Sequence, residues 1–519
     1  MSIDPPTPHR WGTAAFAHAR ETRQPLLLCI TRGPRAAHDL AHPPGFVVVR
    51  IDRDEQPALD RLCQLAHQLL TQSPGGWPLF VFFDASTELP FFSVAGTDAH
   101  GLPPASLLAR IRAFHDAEPD TLAAQHAALR AAFADLRPPP ASTATFDDAP
   151  LRAARQTLAA AFDFEHGGFV TTPKFVRPWL LERLLRDWRR SATGSTPDLQ
   201  ALYMVTMTLT RLAKSPMCTS SGAFHDHSTQ ADWSSPNASL TLGDNGALLA
   251  LYAQTALATG EPEFTIVTRR LATALLRDWR LPDGAFATAF HGAARDDRAL
   301  PIGNSQAIRG LVWAARTLRD AQFTDAAATA LAALQQRYGA ALPWSTTAGQ
   351  AAGLEEHAAL ADAVLELLQQ RWDPALHQFF ESLLTMLRTE FEDPEAGGYF
   401  DLAPRHTQPK SFHDLKTFGD ETMPAGNALL ARVLRRSAAW SGDQTRDVSA
   451  DRILALAWPA LVRQPQAHAT LLGVLEETLV RPEVLVLRGA GTEIENALLD
   501  LQRVYAPMRL VFAISDTER

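Results

Sequence analysis

The residues of this chain able to do chemistry are carboxylates and histidines set far apart, with no paired thiols. Glu355-Glu356, Asp244 and Asp420 fall in separate stretches, and His225-Asp226-His227 lies in a glycine-rich turn. Two carboxylates flanking a glycosidic bond can act as acid and base or nucleophile, whereas a sugar isomerase needs paired proton-transfer groups such as histidines. The same acids can equally cap helices or pair with arginines. A metal site needs three or four converging ligands. One H-x-H falls short of that, so neither metal nor cofactor is expected, and His225 reads as a polar cleft residue. The three cysteines, Cys29, Cys63 and Cys218, have no close spacing. A redox dithiol needs two neighbouring thiols, one with its thiolate favoured at a helix N-terminus. Apolar burial is the reading for Cys29 and Cys63. A bridge between those two would need Cα atoms within about 7 Å.

The elements that must position these residues fall into parts. Leu26 to Leu40 reads as a buried strand running into a loop and helix, the place where a thioredoxin fold carries its C-x-x-C pair. A helix-like segment at Thr13 to Thr22 and apolar strands at Phe46 to Ile51 and Leu79 to Phe83 flank it. The loop has Arg35 and His38 in place of the cysteines, where they suit an anion or peptide contact or simply a solvated helix start. This thioredoxin-like α/β domain is assigned to 1–136. It ends at the proline-rich connector Arg137-Pro138-Pro139-Pro140-Ala141-Ser142-Thr143.

Beyond the connector, alanine- and leucine-rich helical periodicity recurs. Between the helices a phrase repeats: Gly167-Gly168-Phe169, Gly222-Ala223-Phe224, Gly284-Ala285-Phe286 and Gly397-Gly398-Tyr399-Phe400. The starts at 167, 222, 284 and 397 are 55, 62 and 113 residues apart, the last close to two steps. That period fits one helical hairpin per repeat, and about six hairpins make an (α/α)6 toroid, assigned to 146–456. Glu483 to Leu487, Glu493 to Val504 and Arg509 to Ile514 read as strand, helix and strand, a small α/β appendage assigned to 457–519. The fold class expected is thus multidomain, α and α/β.

At 519 residues more than one core is expected. The 48 basic and 57 acidic residues give a net charge of −9 with no basic run, which argues against nucleic acid or an anionic membrane as partner. The N-terminal stretch has no apolar signal core, and no stretch approaches a membrane span. With so few cysteines, a cytoplasmic location is expected. Nothing in the sequence indicates the oligomeric state.

Together these features resemble the spermatogenesis-associated protein 20-like family, a thioredoxin-like domain followed by a toroid related to N-acylglucosamine 2-epimerases. The first domain matches at Trp11-Gly12 with Ala14-Ala15-Phe16-Ala17, at Val49 to Pro57 and at Gly75-Gly76-Trp77-Pro78-Leu79. The toroid matches at Gly167 to Phe169 with Pro173-Lys174-Phe175, Phe224-His225 with Trp233 and Pro236, Asp244-Asn245, Leu354-Glu355-Glu356, Gly397 to Phe400, and Asp420 with Pro424 to Asn427. The resemblance implies a cis bond at Trp77-Pro78. It also places Lys174, His225, Trp233, Asp244, Glu355, Glu356, Asp420 and Asn427 at hairpin loop ends facing one cleft, with Glu355, Glu356, Asp420 and His225 as the catalytic candidates and the rest as ligand contacts beside Arg35 and His38. The departures are as informative. The family's C-H-W-C is Arg35-Ala36-Ala37-His38 here, and its run W-L-V-P-H-F-E-K-M-L-Y-D is Trp233 to Asp244 with Asn237, Ser239, Leu240 and Gly243 in place of histidine, glutamate, lysine and tyrosine. Asparagine takes up no proton near neutral pH, so a two-histidine epimerase mechanism is broken. The expected function is a thioredoxin-like protein without dithiol redox activity, whose toroid binds a carbohydrate-like or other polar small molecule. The rival expectation is a carbohydrate-active isomerase or glycoside hydrolase.

Overall fold

The structure is a computed structural model that describes residues 9–33, 43–96, 103–138, 145–192, 194–339, 352–404, 415–489 and 491–516. The chain forms two compact units. The first comprises Met1–Pro139 with Pro343–Leu354 and Phe400–Lys416, and the second comprises Pro140–Leu342, Glu355–Tyr399 and Thr417–Arg519.

In the first unit, β1 (Leu26–Thr31) pairs parallel with β2 (Val47–Asp52) and antiparallel with β3 (Leu79–Phe83), which pairs antiparallel with β4 (Pro90–Ala95). The strand order is β2-β1-β3-β4. Every residue of β1 and β3 is buried, as expected of strands covered on both faces. Leu26, Leu28 and Ile30 meet α1 (Thr13–Thr22) and α2 (Pro57–Thr71) through Phe16, Leu59, Leu62 and Cys63, and the half-buried Leu415 joins this layer. Leu27 and Cys29 face the other way, onto α3 (Ala105–Ala117) and α4 (Pro119–Asp135) through Leu108, Ile111 and Leu122. Period-two alternation thus splits one continuous apolar strand between two cores. The Trp77-Pro78 bond is cis, as the resemblance implied.

The second unit is a ring of helices in two layers. The inner layer among the described residues is α6 (Pro178–Ser191), α8 (Leu242–Thr259), α10 (Pro301–Leu318), α12 (Leu354–Gln370), α14 (Gly426–Ser441) and α16 (Ala469–Leu479), of which α8, α10, α12, α14 and α16 are buried nearly all round. The outer layer is α5 (Ala149–Ala160), α7 (Leu199–Lys214), α9 (Pro262–Ala274), α11 (Ala321–Tyr338), α13 (Pro374–Phe391) and α15 (Gln444–Arg463), with α5, α7, α9, α11, α13 and α15 buried chiefly on one face. The last inner helix, α16, packs on the first, α6, and closes the ring. Residue 456, the expected end of the toroid, falls inside α15, and α16 beyond it belongs to the ring.

Inner helices approach closely where side chains are absent. A Cβ at Gly246 of α8 would lie 2.5 Å from the carbonyl carbon of Gln306, and one at Gly310 of α10 would lie 2.5 Å from the Gly246 oxygen. The C-terminal segment is a two-stranded parallel sheet with α17 (Thr492–Leu501) between its strands in the chain. These two strands, β5 (Glu483–Arg488) and β6 (Arg509–Ile514), pack on the ring through Phe512, stacked 4.7 Å from Trp440.

Candidate functional site

In the first unit, Arg35 and His38 lie outside the described residues. The cis-proline turn at Trp77-Pro78 is fixed by a polar cluster. Trp77 Nε1 donates to Asp60 Oδ1 (3.0 Å), Gln64 bonds both Asp60 and the Gly76 backbone, and the Arg53 guanidinium stacks 4.2 Å from the indole. Trp77 stays 40% exposed, and burial raises the Asp60 carboxyl above its usual range. All three cysteines are free. Cys29 and Cys63 face opposite sides of the sheet, so they form no working pair. Burial pushes the Cys29 thiol up to about 12 and Cys63 well above its ordinary value. Both behave as small apolar groups.

The repeated glycine–aromatic phrase has a partner that the sequence did not reveal. Asn245 Oδ1 accepts from Phe224 N (2.8 Å) while its Nδ2 donates to Phe224 O (2.9 Å). Asn304 brackets Phe286 in the same way (2.9 and 3.0 Å), and Asn427 brackets Tyr399 (2.8 and 2.8 Å). Each asparagine stands in the first turn of an inner helix and satisfies both main-chain groups of a buried aromatic. Asn427, expected as a ligand contact, spends its amide on this staple. The recurrence of asparagine 21, 18 and 28 residues after the aromatic (224 to 245, 286 to 304, 399 to 427) was the available signal.

Other expected site residues are also held by the fold. Lys174 is fully buried, its ammonium bonded to Asp163 (2.6 Å) and to the Ala231 carbonyl (2.8 Å). This pairing holds the Asp163 carboxyl down to about 2, uses two of the three ammonium donors, and keeps the head group buried 4.9 Å from the Trp233 ring centroid. Trp233 is buried against Gly168 and Lys174 and donates to the His166 carbonyl (3.0 Å). Both, expected as ligand contacts, are packed within the first repeat.

Asp244 forms a reciprocal cap at the start of α8. Thr241 Oγ1 donates to its carboxylate (2.5 Å), and its own N–H donates to Thr241 Oγ1 (3.2 Å). Asp420 accepts from the backbone N–H groups of Ala425 (3.1 Å) and Thr470 (2.8 Å), tying the loop before α14 to the start of α16. Burial nonetheless pushes its carboxyl up to about 6. Glu355 and Glu356 open α12 and are 7% and 6% exposed. His225 is half-buried beside the stapled Phe224. His227 Nδ1 lies 2.9 Å from Asp226 and its ring 4.8 Å from that of Phe175, and Asn237 Nδ2 approaches His227 to 3.4 Å. No group of three potential metal ligands occurs among the described residues.

Asp244, Glu355, Glu356 and Asp420 thus all sit at inner-helix N-terminal ends, and the loop before α14 spans that mouth. Trp179 Nε1 of α6 donates to the Thr422 carbonyl (3.3 Å). Met423 packs with Trp179, Ala247 and Ala469. A Cβ at Gly243 would lie 3.4 Å from Met423 Sδ and 4.0 Å from the Gly303 Cα. One short segment therefore touches α6, α8 and α16.

Below the mouth the ring interior is filled with paired charges. Arg183 and Arg186 share Glu476 (2.9 Å each), Arg186 and Arg436 share Glu477 (3.1 and 2.8 Å), and Arg316 pairs with Glu366 (2.7 Å). Arg309 pairs with Glu182 (2.8 Å) and Arg432 with Asp362 (2.7 Å). The arginines hold the buried Glu476 carboxyl down to about 2. Helical periodicity did not flag these residues, because a charge on an inner face reads as a solvated one.

The family Thioredox_DsbH, described as "Protein of unknown function, DUF255", matches residues 34–134. Human spermatogenesis-associated protein 20 is 28% identical over 312 residues, covering 54% of this chain and 38% of the human protein. Over about half of its length the chain is thus similar to spermatogenesis-associated protein 20. The Rattus norvegicus protein of that name is 27% identical over 315 residues with the same coverages. The match spans well under half the length of these curated relatives. Among solved structures, one titled "Crystal structure of D-mannose isomerase" superposes with a TM-score of 0.51 and 11% identity, covering 65% of this chain and 99% of the other. At that identity the likeness shows the fold alone, an (α/α)6 toroid. No helix among the described residues is long and apolar enough to cross a membrane.

Proposed function

We propose that this protein is a carbohydrate-binding toroid joined to a thioredoxin-like unit that performs no dithiol redox chemistry. The observation that carries the binding reading is the mouth at the inner-helix N-terminal ends, where an indole (Trp179) and the bare backbone of Gly243 and Gly303 gather around the Thr422–Met423 segment, with the capping acids Asp244 and Asp420 at the adjoining helix starts. Aromatic faces beside a few polar groups suit a sugar. The fold shared with a protein titled as a D-mannose isomerase supports the same ligand class. Binding without isomerisation follows from Asn237, which cannot exchange a proton as a paired histidine would.

The test is ligand-detected NMR with D-mannose in D2O. Saturable binding with the C2 proton retained is expected. Loss of that proton in the presence of protein would replace this reading with the isomerase one. In the first unit, no reduction of insulin disulfides is expected, because two buried thiols on opposite faces cannot alternate between dithiol and disulfide. Turnover abolished by Cys29→Ser or Cys63→Ser would overturn that.

A further inference from the structure

We propose that Ser305 and Arg309 form the floor of a closed subsite for a neutral, polyhydroxylated ligand, with Met423 and Trp179 as its movable cover. This inference rests on the carbohydrate-binding reading of the mouth. Ser305 and Arg309 are one turn apart on α10 and share a face. Arg309 points into the ring, since its Nη2 donates to Glu182 of α6 (2.8 and 3.0 Å) and its Nε lies 3.6 Å from Asp362 of α12.

Ser305 is 1% exposed and Arg309 4%. Ser305 Oγ and Arg309 Nη1 are buried and have no hydrogen-bond partner. Leaving a hydroxyl and a guanidinium N–H unpaired inside a protein is unfavourable. Two such groups on one face mark a place where the chain leaves hydrogen bonds for a ligand to complete.

The cover adjoins Arg309 through Trp179. The Arg309 Cζ is 5.8 Å from the Trp179 ring centroid. Trp179 is tied to the Asp420–Met423 segment by one 3.3 Å bond, and Met423 fills the space beside Gly243. A methionine side chain can repack at little cost. When Met423 swings out, the indole face, the Arg309 and Ser305 donors, and the Glu182 carboxylate become one surface.

The chemistry of that surface selects its ligand. Arg309 already faces two carboxylates, Glu182 and Asp362, so a second anion would be repelled, whereas a hydroxyl can accept from Nη1 and donate to an acid. The subsite therefore takes a neutral sugar in preference to a uronic acid.

The experiment compares wild type, Met423→Ala and Ser305→Ala for D-mannose and D-glucuronate binding by ligand-detected NMR, together with melting temperature and hydrogen-peroxide oxidation of Met423 against the buried Met204 and Met217. D-mannose is expected to bind Met423→Ala about tenfold tighter than wild type, because the closed state no longer competes. It should raise the oxidation rate of Met423 in wild type. Ser305→Ala should melt no lower than wild type yet bind D-mannose at least about fivefold more weakly, a combination that a packing role would not produce. D-glucuronate should bind every protein more weakly than D-mannose does. If D-mannose binds all three proteins alike, or D-glucuronate binds tighter, the subsite falls while the mouth reading stands. If no sugar binds any of them, including Met423→Ala, both fall.

Discussion

Replacing Asn427 with alanine separates a structural staple from a ligand contact. In the structure Asn427 is fully buried, and its amide satisfies both the N–H and the C=O of Tyr399 at 2.8 Å, with a further 3.3 Å bond to the Thr417 carbonyl. Truncation leaves two buried main-chain groups unpaired, each costing about 1–3 kcal/mol, so a loss of about 3 kcal/mol is expected. At about 1.4 kcal/mol per decade, the Tyr399 amide should exchange with D2O about 100-fold faster through local opening. Hydrogen exchange read by mass spectrometry on peptides spanning 397–400 measures this directly, with peptides covering Phe224 and Phe286 as internal references because Asn245 and Asn304 are untouched. Asn427→Asp should be no milder, since it keeps the acceptor, loses the donor and buries a charge. An Asn427→Ala protein with unchanged exchange and melting but abolished D-mannose binding would refute the staple argument and restore Asn427 as a ligand group.

Glu477→Gln strips the shared charge from Arg186 and Arg436 inside the ring, and a loss of about 3–5 kcal/mol is expected in chemical denaturation, whereas Arg277→Ala in an exposed pair should leave the midpoint unmoved. Gly246→Ala should fail to give a natively melting ring by calorimetry, because its Cβ would meet backbone atoms of α10 at 2.5 Å and neither helix can yield without the other. His115 is raised by its hydrogen bond to Asp84, with Asp116 adding to the effect and burial opposing it. Its stabilising contribution is therefore complete below the ordinary histidine value of about 6.5 and is lost as pH rises through the raised one. The melting-temperature gap between wild type and His115→Gln should accordingly narrow as pH rises above about 6.5, and a gap that widens would show that the pair does not stabilise the charged form.

The two fold types were legible in the sequence because each is written in a local period. The apolar strands at Leu26–Thr31 and Leu79–Phe83 have the composition of buried strands, and the glycine–aromatic phrase repeats at hairpin spacing. The absence of a working thiol pair was equally plain, since it needed only the positions of three cysteines, and the structure added that Cys29 and Cys63 belong to opposite cores.

The roles of the polar residues were not legible. Lys174, Trp233 and Asn427 stand at the loop ends the motifs pointed to, yet their polar atoms bond backbone or neighbouring side chains, and nothing in a one-dimensional pattern distinguishes a side chain aimed into a cleft from one aimed beneath it. The charged interior was hidden for a related reason. Arg183, Arg309, Arg432 and Arg436 have the helical spacing of a solvated face, and only closure of the ring brings them against Glu476, Glu182, Asp362 and Glu477, whose charges make their burial tolerable. Local periodicity determined the elements. Which polar atoms are spent on holding the ring together, and which are left over at Ser305 and Arg309, was decided by contacts between helices that are distant in sequence.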